Sequence, residues 1–500
     1  MRLLFLVLLL TGCRGAAPPP PPTPAETGNL PSPGLFEASW SDRSIYAAGL
    51  IESQADALAG LPGASVYHLE LTLADDLASV QGVEEVLYTN TEAVPLDRVA
   101  FHLFPNLLGG EVALSSVRVD GVDAELVYGD GWVAIVLEPA LEPMASVVIR
   151  LEFTVRVPAE IELNYGVLAN AEGVLAYAHG YPMVAVYDSD GWDLEIPSPY
   201  GDITYSDSSF YLVRVHAPKD LVLCTSGIEV DRHEADGQQT VTFAAGPARD
   251  FYLAGSQDYE VLTQTAGPVT LRVCTPGYGR EAGERILEVA ADALETFGQR
   301  YAPYPYTELD VVTTPTYALG IEYPGAFALT QNLFTEAQDY GATPESVMLE
   351  SVTAHEAAHE WFYNLVGNDQ LEDPWLDEAL AQFATLQYYA DRYGESGAAG
   401  LRASFYSRWD RVERKAIPIG MPVVGYDERS YSAIVYGRGP LFIEALQQKL
   451  GEESFDAFMR EYTTAFAWEE ATPADLQRLA EAQCGCDLTP LFQEWVYGQP

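Results

Sequence analysis

The sequence predicts two regions of different character, an antiparallel β-sandwich followed by an α+β domain that turns mostly helical. Three observations carry this. Between about Val66 and Gln264, apolar and polar residues alternate with period two in short runs bounded by turns. Beyond about Cys274 the apolar spacing becomes that of helices. The 500 residues are 48 % hydrophobic and 11 % aromatic, which supplies real cores and excludes wholesale disorder. At roughly 100–200 residues per domain, such a length divides into a few domains.

The elements follow in chain order. Met1–Arg2 precede an unbroken apolar run, Leu3–Leu10, and then Leu10-Thr11-Gly12-Cys13. A charged start, a short apolar stretch and small residues mark a signal peptide over 1–12, too short to span a bilayer. Its ending on cysteine resembles the lipobox of bacterial lipoproteins. The resemblance implies cleavage before Cys13, a diacylglycerol on its thiol, and a membrane-anchored, extracytoplasmic protein. Residues 13–35 include the proline run Pro18–Pro22, followed by Pro24, Pro31 and Pro33. Such a segment packs no core and favours an extended tether. The β domain is expected over 36–272, opening on a helix at Ile45–Ala59. Its strand runs include Tyr67–Leu73, Val117–Gly121, Val147–Val157 and Phe210–Val215. The second domain is expected over 273–500. Its helices are Arg280–Tyr301, Glu345–Leu365, Leu376–Tyr393, Tyr436–Lys449, Glu453–Phe466 and Pro473–Gln483, with strands at Leu309–Thr313 and Phe327–Thr330. Thr472 followed by Pro473 is a good helix start.

Charge and cysteine content narrow the partners. The formal net charge is −47. A surface so acidic repels phosphate backbones, which excludes nucleic acid as a partner, and it gains nothing from anionic lipid. With Cys13 taken by the lipid, Cys224, Cys274, Cys484 and Cys486 remain, and their three pairings stay open. Cys224 and Cys274 stand on two strand-like runs suited to a cross-strand disulfide outside the cytoplasm.

The chemistry concentrates at His355-Glu356-Ala357-Ala358-His359. Two histidines four apart share one helix face and reach one ion. Glu356, beside the first, is placed to take a proton from an attacking water without ligating. A third ligand is required, with one position left open. Glu378, on the next helix within Trp375-Leu376-Asp377-Glu378, is the candidate. Two histidines and a glutamate form the donor set of a catalytic zinc site rather than a structural one. Asp377 reads equally as a group orienting a histidine and as an acid in a helix's first turn.

These motifs together resemble the aminopeptidase N family of gluzincin metallopeptidases. Gly320-Ile321-Glu322-Tyr323-Pro324 is similar to the family's G-x-M-E-N segment, and Tyr436-Gly437-Arg438-Gly439 to its Tyr-x-Lys-Gly segment. The order along the chain agrees. The resemblance covers about residues 60–500. It implies a saddle-like β domain followed by a thermolysin-like catalytic domain. It also implies one zinc ion on His355, His359 and Glu378, with Glu356 as general base and Tyr436 donating to the oxyanion. Glu322 would hold the free N-terminus of a peptide substrate, and the backbone of Gly320 and Ile321 would align it as an added strand. Departures stand at Ile321 and Tyr323, where the family has Met and Asn. Others are Glu360 for Gln, Tyr363 for Gly, and Ala379 for Gly. Arg438 replaces Lys. The chain ends about sixty residues past Tyr436, which implies a more open cleft admitting longer peptides. The reading is an aminopeptidase. The alternatives are a zinc endopeptidase on the same scaffold and a non-catalytic peptide-binding lipoprotein.

Overall fold

The structure is a computed structural model and describes residues 36, 39–161, 164–334 and 343–498. The signal segment 1–12, the whole tether 13–35 and the lipidation site Cys13 lie outside the described residues. No helix among the described residues is long and apolar enough to cross a membrane.

The N-terminal half is a layered β structure. An eight-stranded sheet runs from Ile228–Ala235 through Gln238–Ala248, Ser209–Pro218, Val66–Leu73, Ser79–Thr89, Ser146–Arg156 and Glu111–Val119 to Val122–Asp123. A four-stranded sheet centred on Leu96–His102 and Trp132–Leu141 packs against it. Leu69, Leu71, Val80, Phe101, Ile135 and Leu151 fill the space between them. The alternation along Ser79–Thr89 is the reason: every second side chain turns inward. Two expectations change. The large sheet is mixed, because Val66–Leu73 pairs parallel with Ser209–Pro218. Strand partners so far apart in sequence leave no turn signal between them. Ile45–Ala59 is not one helix but 3₁₀ turns at Ser44–Gly49 and Glu52–Gln54 and a single α turn at Ala57–Gly60. Leu50 instead bridges to Tyr306 and buries its side chain there.

A five-stranded sheet follows, in the order Tyr259–Ala266, Val269–Pro276, Glu308–Thr314, Ala326–Thr330, Gly320–Tyr323. It begins ahead of residue 273, since Tyr259–Ala266 pairs antiparallel with Val269–Pro276 along its whole length. The helix Arg280–Arg300 crosses between two parallel strands and buries Ile286, Val289, Ala293 and Phe297 on one stripe. Cys224 is bonded to Cys274, and Cys484 to Cys486. The first disulfide ties a strand of the β-rich half to this sheet.

Three helical features position the site. The motif helix, Glu345–Ala358, is shorter than expected. Beyond His359 the backbone widens into bonds such as Asn364 N–H to His359 O, and Tyr363 takes φ +137°. The long helix runs Trp375–Asp410 with a break at Gly394. A π-helical turn, Ile434–Arg438, precedes the helix Gly439–Leu450. The helix Pro473–Cys484 starts on a capping box from Thr472, with Pro473 in its first turn, as the sequence signals.

Candidate metal centre

The motif helix delivers two donors. His355 lies in its last turn and His359 at its C-cap, with their Nε2 atoms 3.3 Å apart. Glu378, in the first turn of the long helix, brings Oε2 to 3.2 Å from His355 Nε2 and 3.6 Å from His359 Nε2. The Nδ1–H of His359 donates to the carbonyl of Phe362 at 2.9 Å, which leaves Nε2 as the free lone pair. One ligand atom from each of the three residues lies within 4.8 Å of the others.

This donor set fits a zinc ion. Glu378 Oε2 is buried without a well-formed hydrogen bond, so the position between the three groups lacks a partner. The surroundings also favour a cation. Burial alone would lower His359, but the carboxylates of Glu322, Glu378 and Glu356 draw it well above the usual imidazole range. Burial would raise Glu378, yet the imidazoles of His355 and His359 close beside it hold it well below the usual carboxylate range.

Glu356 is buried beside the donors, and burial pushes its carboxyl well up. The edge strand Gly320–Tyr323 passes directly over it. A Cβ on Gly320 would stand 2.3 Å from Glu356 Oε1. Only glycine lets the backbone approach so closely. This strand pairs on one side with Ala326–Thr330, and among the described residues its other edge is unpaired. Ile321 is half-buried on the same strand and lines the cleft.

Glu322 is held by a residue that sequence reasoning missed. Gln370 Nε2 donates to Glu322 at 3.0 Å and to Asp377 at 2.7 Å, while its oxygen accepts from Thr204 at 3.0 Å. A single glutamine in a loop carries no spacing signal. Asp377 accepts from Gln370 and from the Glu378 N–H, so it acts as an acid in the first turn of the helix.

The Tyr436 hydroxyl donates to Glu378 Oε1, and its ring lies 6.2 Å from that of His355. The π-helical turn swings this side chain into the cleft. Arg438 points elsewhere: it donates to the carbonyls of Ile417, Glu494 and Trp495, and so fixes the turn from behind. The other departures have local reasons. Tyr323 lies flat on Tyr252, ring centroids 3.9 Å apart. Tyr363 occupies the positive φ that glycine favours, held by its hydroxyl on Asp250 at 2.8 Å. Glu360 accepts from Gly325 N–H and the Asn364 amide, and burial pushes it up to about 8.

A cleft of about 990 Å³ opens over these groups. The β-rich half lines it with Phe104, Leu108, His179 and Asp202, and the helical half with the motif residues.

Comparison with known proteins agrees with this geometry. Residues 285–495 match the peptidase family M1 domain. A probable aminopeptidase 2 of Sulfurisphaera tokodaii is 25 % identical over 297 residues, covering 57 % of this chain and 38 % of that one. Aminopeptidase M1-B of Oryza sativa subsp. japonica is 25 % identical over 460 residues, covering 87 % of this chain and 50 % of its own. The chain thus spans half or less of the length of these relatives. The crystal structure of an M1 zinc metallopeptidase from Deinococcus radiodurans superposes with a TM-score of 0.65 at 21 % identity. That match covers 87 % of this chain and 94 % of the other, and shows a shared fold.

Proposed function

We propose that this chain, which carries a peptidase family M1 domain over residues 285–495, is a one-zinc aminopeptidase that releases N-terminal residues from peptides. The observation that carries the reading is the convergence of His355, His359 and Glu378 beside Glu356, with Glu322 buried next to them on a strand edge unpaired among the described residues. Bound zinc supplies Lewis-acid polarisation of the scissile carbonyl and makes water a better nucleophile.

The chain's own residues do the rest. Glu356 takes a proton from the attacking water and passes it to the leaving amine. The Tyr436 hydroxyl donates to the oxygen on which negative charge develops. Glu322, oriented by Gln370, accepts the ammonium of the substrate N-terminus. A carboxylate fixed there accepts a chain end and not an interior amide, which selects exopeptidase action. The free edge at Gly320 and Ile321 aligns the peptide by main-chain hydrogen bonds. The Leu10-Thr11-Gly12-Cys13 segment supports an extracytoplasmic enzyme tethered through lipid on Cys13, acting on peptides outside the cytoplasm.

The test is product analysis. The full chain loaded with one equivalent of zinc is expected to release single residues stepwise from the N-terminus of a peptide. Chelation should abolish the release and zinc should restore it. Internal fragments as first products would establish the endopeptidase instead.

A further inference from the structure

The cleft is lined by carboxylates: Asp202, Glu322, Glu350, Glu356, Glu378 and Glu428. Among the described residues that line it, the one lysine or arginine is Arg408. It projects from the last turn of the long helix. Its guanidinium carbon stands 5.6 Å from the Tyr436 ring centroid, and Nη1 meets the Tyr436 carbonyl oxygen at a long 3.4 Å. That carbonyl is the one acceptor it meets among the described residues, and it pairs with no carboxylate within 4.0 Å there. A guanidinium carries five N–H donors in a planar fork suited to a carboxylate. Most of this fork is therefore left for the cavity, in a protein with 73 acidic residues against 26 basic ones.

Its position relative to Glu322 matters. Glu322 clusters with His359 and Asp377, their ligand atoms within 4.8 Å of one another. Arg408 lies on the other side, against Tyr436, whose ring faces His355. Glu322 thus neighbours the His359 side of the donor set, and Arg408 neighbours Tyr436 on the His355 side. An anion-accepting group and a cation-accepting group thus flank the reacting centre, as the two ends of a short zwitterionic peptide require.

We propose that Arg408 binds the C-terminal carboxylate of short peptides, making two- to four-residue peptides with a free C-terminus the preferred substrates. This rests on the aminopeptidase reading above and deepens it. It also runs against the expectation that an open cleft selects longer peptides. A bidentate, partly screened arginine–carboxylate contact contributes about tenfold in affinity.

The test compares Leu-Ala-Ala with its C-terminal amide, alongside the corresponding pentapeptide pair, on the zinc-loaded full chain. The native protein is expected to favour the free acid about tenfold in kcat/KM for the tripeptide and less than twofold for the pentapeptide. Arg408→Gln is expected to bring the tripeptide ratio close to one, and Arg408→Lys to retain part of it. A merely structural role would lower both rates together and leave the ratio intact. A native tripeptide ratio near one, or a ratio that survives in Arg408→Gln, would overturn the proposal. Absence of leucine release from all four peptides would instead overturn the aminopeptidase reading, and this inference with it.

Discussion

Gly320→Ala tests the closeness of the edge strand to Glu356, the proposed general base. The added methyl carbon would stand 2.3, 2.4 and 2.5 Å from Oε1, Cδ and Cγ of Glu356. Ordinary contact needs about 3.5 Å, so strand or carboxylate must shift by about 1 Å. A displacement of that size at a catalytic group costs on the order of 100-fold in rate, about 3 kcal/mol of barrier. Alanine is allowed at this backbone conformation, because Gly320 does not take a positive φ. The fold should therefore survive at an overpacking cost of about 1–3 kcal/mol. The assay is kcat and KM on leucine amide, with zinc content and thermal unfolding measured on the same preparation. The expected result is a loss in kcat of about two orders of magnitude with zinc retained. Gly298→Ala, in a helix where a Cβ meets nothing within 4 Å, serves as the comparison and should leave turnover unchanged. A kcat for Gly320→Ala within threefold of native would refute the reasoning.

Three further outcomes are expected. Glu356→Gln keeps the zinc donors and removes the base, so metal analysis should still find one zinc while kcat falls about 10²–10⁴-fold. Tyr436→Phe removes the hydroxyl proposed to donate to the oxyanion in the transition state, so steady-state kinetics should show kcat falling about 10²–10³-fold with KM little changed. Glu84 is buried in the β-sandwich with neither carboxyl oxygen hydrogen-bonded among the described residues, and burial pushes it well above the usual carboxylate range. The folded state therefore holds a proton that the unfolded chain releases above about pH 4.3, and stability falls as pH rises from there toward the folded pKa. Denaturant titrations should show Glu84→Gln removing up to about 1.4 kcal/mol per pH unit of that decline.

The parts of the fold that repeat locally were legible in the sequence. Arg280–Arg300 and Pro473–Cys484 match their expected spans to within one residue at each end, because an apolar stripe or a capping box is written in adjacent residues. The parallel pairing of Val66–Leu73 with Ser209–Pro218 joins strands more than a hundred residues apart and leaves no local trace. The helix expected to reach Leu365 stops at Ala358, since the widened turn through Tyr363 depends on Asp250, a tertiary contact. The site divides the same way. His355, Glu356, His359 and Glu378 were legible from spacing on two helices. Glu322, Gly320 and Tyr436 were legible through a family resemblance, and the structure brings them to the same cleft. Gln370 and Arg408 carry no motif. Their importance lies in what the fold sets opposite them.

The most direct test of the central claim pairs one peptide with its N-acetylated form on the zinc-loaded protein, with and without chelator. Chelator-sensitive cleavage of the free peptide alone is the expected result, because in the proposed reading Glu322 accepts an ammonium and an acetylated terminus offers none. Equal cleavage of both forms would contradict the account and remove Glu322 from substrate recognition.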